Sequence, residues 1–244
     1  MNEFEKGNNM ETRNHVFKKL FLLLSLVIFL TTTLAANESK DVAIVLKSKG
    51  TVKVKSSTTK KWYTGKRGRR LDSGDVVKTS KNSLAAVMFT DDKTLLKVRE
   101  NSTLAIKGKR EKKSIAKRIF CSVGKFWLKA TKQKKQLLVE TPSGVAAVKG
   151  SAAAFTVTPN ETEVIVTEGV FELFNKFGKI LVGLGETGKL KRNGKPIKYK
   201  STAQEKQAAK ELDEKLPVEN ELQFRFLDSQ KNEKTLIIKY KEKK

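Results

Sequence analysis

Between Val42 and about Lys200 the chain alternates apolar and polar residues in short runs, and each run ends in Gly, Asn, Asp or Lys. A period of two sends successive side chains to opposite faces, so this pattern is satisfied by half-buried β-strands and by little else. Thr51-Val-Lys-Val-Lys55 sets valines against lysines, Leu84–Phe89 and Leu95–Val98 are denser and belong deeper, and Glu163–Val166 and Val170–Phe174 continue the alternation. Ser73-Gly74-Asp75, Asp91-Asp92-Lys93 and Glu168-Gly169 have the composition of tight turns. No helical run separates the strands, which excludes an α/β architecture. The expected fold is all-β, a sandwich, barrel or short solenoid of about a dozen short strands.

Near Thr202 the texture changes. Thr202 and Glu205 have the spacing of a capping box, Ala209, Leu212 and Leu216 fall on one helical face, and Pro217 ends the run. Leu222–Phe226 and Thr235–Tyr240 then alternate around a polar turn, as a hairpin or two added edge strands would. The expected organisation is therefore residues 1–36 as an export signal, 40–200 as the β domain, and 201–244 as a small helix, a hairpin and a basic tail.

The export reading rests on Phe17–Ala36: Lys18 and Lys19, an apolar run from Leu20 to Leu30 broken only by Ser25, then Thr33-Leu34-Ala35 with the small residues that signal peptidase requires. That run is shorter than the ~20 residues of a membrane span. Counting Phe17 and the threonine-rich end brings the segment close to a span, so an uncleaved anchor is the alternative. No Cys stands directly after the run, which excludes a lipid anchor there. The rest of the chain is expected outside the cytoplasm, in a bacterial periplasm.

With that segment removed the protein contains no histidine, since the one His, His15, precedes it, and it keeps one cysteine, Cys121. Ser-His-Asp and Cys-His catalysis, His-ligated zinc and thiolate cages are thereby excluded, and no cofactor, metal or enzymatic activity is expected. Cys121 reads as a small buried hydrophobe. Lys and Arg (51) outnumber Asp and Glu (26), a net charge of +25; losing residues 1–36 removes four cations and three anions and leaves +24.

Three motifs read as structure. Gly74-Asp75 is what a tight turn requires, Asp91-Asp92 reads as a surface turn with too few oxygens for calcium, and Gly183-Leu-Gly-Glu-Thr-Gly-Lys189-Leu190 matches two phosphate-loop spacings but lacks the following Ser or Thr and the helix both need.

Ordered segments from Gly50 to about Gly185 resemble the FecR domain family: Gly50-Thr-Val52 with Trp62, Leu71-Asp-Ser-Gly74-Asp75-Val-Val77-Lys-Thr79 with Asn82-Ser-Leu-Ala-Ala-Val87-Met-Phe89, Asn101–Ile106, Gly124-Lys-Phe-Trp127, Thr141-Pro142 through Lys149-Gly150-Ser151, and Val166-Thr-Glu168-Gly169-Val170. Gly74, Asp75, Thr141, Pro142, Lys149, Gly150, Glu168 and Gly169 are the positions the resemblance marks, in structural roles. Lys149 and Ser151 replace the usual Arg and Thr. The resemblance implies an all-β exported module that binds or scaffolds without catalysis. Named members regulate sigma factors through a cytoplasmic anti-sigma domain; only 16 residues precede the apolar segment here, too few for such a domain, so that activity is not expected of this chain.

The basic clusters remain. Lys66-Arg67-Gly-Arg69-Arg70 and Lys107-Gly-Lys109-Arg110-Glu-Lys112-Lys113 fall at expected turns and polar strand positions, and their residues are the candidate polyanion site. A merely solvated face is the competing reading. Outside the cytoplasm the available polyanions are peptidoglycan and lipopolysaccharide, while nucleic acid is excluded by location and the membrane enters only if the N-terminal segment is retained. Trp62, beside the first cluster, is expected in the core, with stacking on a sugar as the alternative. The expected function is an exported, non-catalytic binding or scaffolding protein of the cell envelope that engages an anionic component through a basic face. The alternative is a membrane-anchored signalling subunit that contacts a partner protein.

Overall fold

The computed structural model describes residues 41–111, 114–132 and 136–213, and the backbone of 221–227 and 233–239. The expected signal segment lies outside the described residues, as do Leu216, Pro217 and the basic tail.

Among the described residues seventeen strands precede the helix: β1 (Asp41–Lys49), β2 (Val52–Lys55), β3 (Trp62–Thr64), β4 (Arg70–Asp72), β5 (Asp75–Thr79), β6 (Leu84–Phe89), β7 (Leu95–Val98), β8 (Thr103–Glu111), β9 (Ser114–Lys129), β10 (Leu137–Thr141), β11 (Gly144–Val148), β12 (Ala152–Val157), β13 (Glu161–Glu168), β14 (Val170–Asn175), β15 (Gly178–Gly183), β16 (Glu186–Lys191) and β17 (Ile197–Lys200). Their pairings form two layers. Layer A runs β4-β1-β6-β7-β9-β12-β13-β16-β17. Layer B runs β3-β2-β5-β8-β9-β10-β11-β14-β15. The architecture is a sandwich through which the chain winds, because after β9 successive hairpins fall alternately on B and A.

Strand β9 belongs to both layers. Its residues 114–123 pair with β8 on layer B and 124–129 pair with β12 on layer A. The switch falls at Gly124, whose φ of +129° is closed to ordinary side chains. A Cβ there would fall onto Ser102, whose Oγ accepts from Lys125 N–H (2.9 Å) and donates to the Glu100 carbonyl (3.0 Å).

Inward residues of the two layers merge into one core, from Val42, Val45, Val87 and Phe89 on layer A to Val54, Val77, Leu104, Ile106 and Cys121 on layer B. Phe126 stacks on Phe155 (centroids 4.6 Å apart), and Phe155 meets Phe171 of the opposite layer edge-on at 5.8 Å. Burial pushes the Cys121 thiol up to about 12, against one bond from the Val123 backbone, so the group is held neutral.

Helix α1 (Ala203–Asp213) starts with the expected capping box: Thr202 N–H donates to Glu205 Oε2 (2.8 Å) and Glu205 N–H to Thr202 Oγ1 (3.2 Å). It lays Ala209 and Leu212 on Trp127, Ala152, Ala154 and Ile165, covering an apolar patch on the outer face of layer A. Lys97 donates to the Asp213 carbonyl and carboxylate, and Arg99 to the Glu211 and Leu212 carbonyls, where the helix dipole favours cations. The C-terminal pair β18 (Glu221–Leu227) and β19 (Glu233–Lys239) forms a separate two-stranded antiparallel sheet, a hairpin rather than added edge strands.

Gly124→Ala is expected to destabilise the protein by more than the ~1–3 kcal/mol of positive-φ strain, since Ser102 must also move; urea unfolding measures this. Cys121 is expected to resist alkylation by iodoacetamide at pH 8 in native protein and to react on unfolding, read by mass spectrometry.

Candidate functional site

The two basic clusters meet at Asp41, the first residue of β1. Its side chain, 5% exposed, pairs with Arg70 Nη1 at 2.8 Å, and its backbone carbonyl accepts from Arg110 Nη2 at 2.6 Å. Arg110 also donates to Thr90 Oγ1 at 3.3 Å. The Arg69 guanidinium lies 4.4 Å from the Tyr63 ring centre, a cation–π contact. Arg69, Arg70 and Arg110 are thus engaged within the fold, whereas Lys66, Arg67, Lys107 and Lys109 stand exposed. Lys112 and Lys113 lie outside the described residues.

Strand phase decides which cations face out. In β8 the buried Leu104 and Ile106 define the inner face, so Lys107 and Lys109 occupy the outer face of layer B. In β2 and β5 the buried Val52, Val54 and Val77 likewise leave Lys53, Lys55 and Lys78 outside. Register places Lys53 directly opposite Lys78 and Lys107 directly opposite Arg118. Arg118 has a carboxylate at 2.7 Å, that of Glu140; Lys53, Lys55 and Lys78 have no ion-pair partner among the described residues. Like charges facing across an antiparallel pair repel, and a neighbouring carboxylate would ordinarily offset that cost. The outer face of layer B between β2 and β9 therefore carries concentrated positive charge that the basic clusters only partly marked.

Trp62 is not in the core. It lies on β3, the edge strand of layer B, where all three residues are exposed, and 46% of its surface is open. Edge position was invisible to a reading of local alternation, because strand order is set by partners distant in sequence.

Asp91 and Asp92 also correct their expectation. They form the expected turn, but they are also the counter-ions of a buried lysine. Lys117 Nζ, 1% exposed, donates to Asp91 Oδ2 (2.7 Å), Asp92 Oδ2 (2.9 Å) and the Ile115 carbonyl (3.3 Å), and sits 5.5 Å from the Phe89 ring centre. Burial works to raise the Asp92 pKa, but the bonds from Lys117 and Thr94 outweigh it and hold the carboxyl below the usual aspartate range. The signal for Lys117 was present in the sequence: it shares its strand face with Ile115, Ile119 and Cys121. No group of three or more His, Cys, Asp or Glu that could hold a metal occurs among the described residues.

The marked glycines, hydroxyls and acids build turns. Asp75 is buried and accepts from Ser57 N–H (2.7 Å) and Asp72 N–H (3.1 Å), while Gly74 takes a φ of +93°. Thr141 Oγ1 donates to the Gly144 carbonyl (2.9 Å) and accepts from Thr162 Oγ1 (2.8 Å), closing the β10–β11 turn that contains Pro142. A Cβ on Gly150 would stand 2.9 Å from Lys132 Cα, and one on Gly169 would strike Ser151, whose hydroxyl bonds the Val170 backbone. Lys149 is exposed, and Glu168 pairs with Lys129 at 3.3 Å on the surface. Gly188 and Lys189 lie inside strand β16, and the next element is strand β17 rather than a helix. Bonding to Glu163 raises the Lys189 pKa against the effect of burial.

Beside α1, on layer A, an open groove of about 870 Å³ is lined by Lys49, Arg99 and Lys125 together with Glu100, Glu163, Glu205 and Glu211. Its charges are mixed. On layer B a smaller cavity of about 310 Å³ is lined by Thr51, Lys53, Trp62, Lys78 and Ser80.

Lys117→Ala is expected to cost about 3–5 kcal/mol, because two carboxylates would be left without their cation. Since the Asp92 pKa is depressed, its stabilisation is full above the ordinary aspartate range and lost as pH falls through the folded-state value. The fall in urea midpoint between neutral pH and about pH 3 should be shallower in Asp92→Asn than in the parent.

No curated protein matches this chain. Solved structures that are similar include two crystal structures of a candidate anti-sigma factor from Parabacteroides distasonis ATCC 8503. One, at 2.50 Å resolution, has 16% identity and a TM-score of 0.47 and covers 61% of this chain and 66% of that one; the other, at 1.65 Å, has 15% identity and a TM-score of 0.47 and covers 64% and 70%. This chain thus spans just under two thirds of the first of them. Residues 75–172, from the first residue of β5 into β14, match the family described as FecR protein.

Proposed function

We propose that this protein is an exported, non-catalytic FecR-domain module that regulates or scaffolds in the cell envelope by holding an anionic component against the outer face of layer B. The observation that carries the reading is the uncompensated charge there, with Lys53 opposite Lys78 on neighbouring strands and Lys107 and Lys109 beyond them. A bound polyanion would relieve this repulsion and supply the missing counter-charge. Export is supported by the signal-like character of residues 17–36, and the absence of catalysis by the lack of histidine after His15. Among the described residues no helix is long and apolar enough to cross a membrane.

A second reading, a membrane-anchored signalling subunit, is favoured by the groove beside α1. Alternating cations and carboxylates suit a polypeptide with both charges better than a polyanion. Retention of the initiator Met on a membrane-bound species would support it.

Co-sedimentation of residues 37–244 with purified peptidoglycan, and separately with lipopolysaccharide, tests the first reading. Binding to at least one polymer at low salt is expected, weakening as salt rises. Combined Lys66→Gln, Arg67→Gln, Lys107→Gln and Lys109→Gln replacement should lower the bound fraction and flatten the salt dependence. No binding to either polymer at low salt would overturn the polyanion reading.

A further inference from the structure

Within the basic face one place has more than charge. The cavity of about 310 Å³ on layer B is bounded by Trp62 on one side and by Lys53 and Lys78 on the other, with Thr51 and Ser80 contributing hydroxyl groups. Trp62 stands on an edge strand with nearly half its surface open. Lys55, its cross-strand partner, holds its ammonium 5.9 Å from the indole centre. Lys53 and Lys78 face each other from β2 and β5 with no carboxylate paired to either among the described residues.

An indole offers a flat apolar surface for the C–H face of a pyranose ring, and a cation beside it fixes its position. Two ammonium groups in register form a receptor for one negative group, which the hydroxyls of Thr51 and Ser80 can supplement. We infer that Trp62, Lys53 and Lys78 form a subsite for one anionic sugar residue, the ring stacked on Trp62 and its carboxylate or phosphate held between the two lysines. This inference rests on the polyanion reading above and narrows it from a charged surface to a charged saccharide. A nucleic acid strand fits less well, because sequence-tolerant single-strand binding uses successive aromatic platforms and this face places one tryptophan beside lysines.

The test is calorimetric titration of the purified full chain with four probes: an oligogalacturonide carrying carboxylates, a phosphorylated maltodextrin, neutral maltohexaose and a thymidine oligonucleotide. At least one charged glycan is expected to bind, with maltohexaose at least about tenfold weaker; whichever charged glycan is tighter identifies the anion as carboxylate or phosphate. Trp62→Ala should weaken that binding about tenfold, the scale of one lost stacking contact, while leaving its salt dependence unchanged. Trp62→Phe should restore most of it. Lys53→Gln with Lys78→Gln should weaken binding and also flatten the salt dependence. Far-UV circular dichroism should match the parent in each variant, since all three side chains face outward. Unchanged affinity in Trp62→Ala overturns the subsite and leaves the broader polyanion reading standing. Oligonucleotide binding that is as tight and equally dependent on Trp62 overturns the saccharide assignment. If the charged glycans fail while peptidoglycan or lipopolysaccharide sediments the protein, the subsite alone falls; if every polyanion fails, both readings fall together.

Discussion

The passage of one strand through both layers holds this sandwich together. Because β9 ends its pairing with β8 at Val123 and begins its pairing with β12 at Gly124, one unbroken stretch of backbone carries ladder hydrogen bonds of layer B in its first part and of layer A in its second. Two independent sheets would meet only through side-chain packing; here they also share backbone. The cost is a positive φ beside the Ser102 turn, met by the one residue type without a Cβ and by a hydroxyl that bonds the backbone on both sides. Phe126 then enters the core two residues later and stacks on Phe155, so the corner and the aromatic centre of the core are placed by the same stretch of chain.

Charge is sorted around this frame. Cations that point inward or lie along the seams have partners: Lys117 with Asp91 and Asp92, Arg70 with Asp41, and Lys97 with Asp213. Those on the outer face of layer B between β2 and β5 have no ion-pair partner among the described residues. The two outer faces also differ in cover. Layer A's apolar patch is closed by α1, which Lys97 and Arg99 hold at its C-terminal end. Layer B presents Lys53, Lys55, Lys78, Lys107 and Lys109 to solvent. Self-repulsion on that scale destabilises a folded protein unless something of opposite sign is near, so the open face is the one whose composition packing does not explain.

Period-two alternation made the strand-rich region and its turns legible, and the Thr202–Glu205 spacing marked the start of α1. What a reading of local pattern missed was long-range. Trp62 was misplaced because nothing in Trp62-Tyr63-Thr64 says that β3 has a neighbour on one side only. The opposition of Lys53 and Lys78 depends on a register between segments more than twenty residues apart. Lys117 is different: its phase with Ile115 and Ile119 was written in the chain, and a lysine on an apolar strand face implies buried carboxylates. Asp91-Asp92 looked like a turn because it is one; its second role becomes visible only when β9 is laid beside it.

These features bear on what layer B can hold. Strands in one sheet lie ~4.8 Å apart, so lysines on adjacent strands present positive charge at a spacing set by backbone hydrogen bonds, with freedom left in their four-carbon stems. Such a face discriminates weakly among anions when charge acts alone, since ammonium groups are point charges with no directional fork. Trp62 adds what the lysines lack, a flat surface of fixed orientation at the edge of the sheet. A ligand with charge but no ring would use only the first feature, and a neutral sugar only the second. The pairing of the two within one cavity is therefore where a surface attractive to any polyanion acquires a preference for one chemical class.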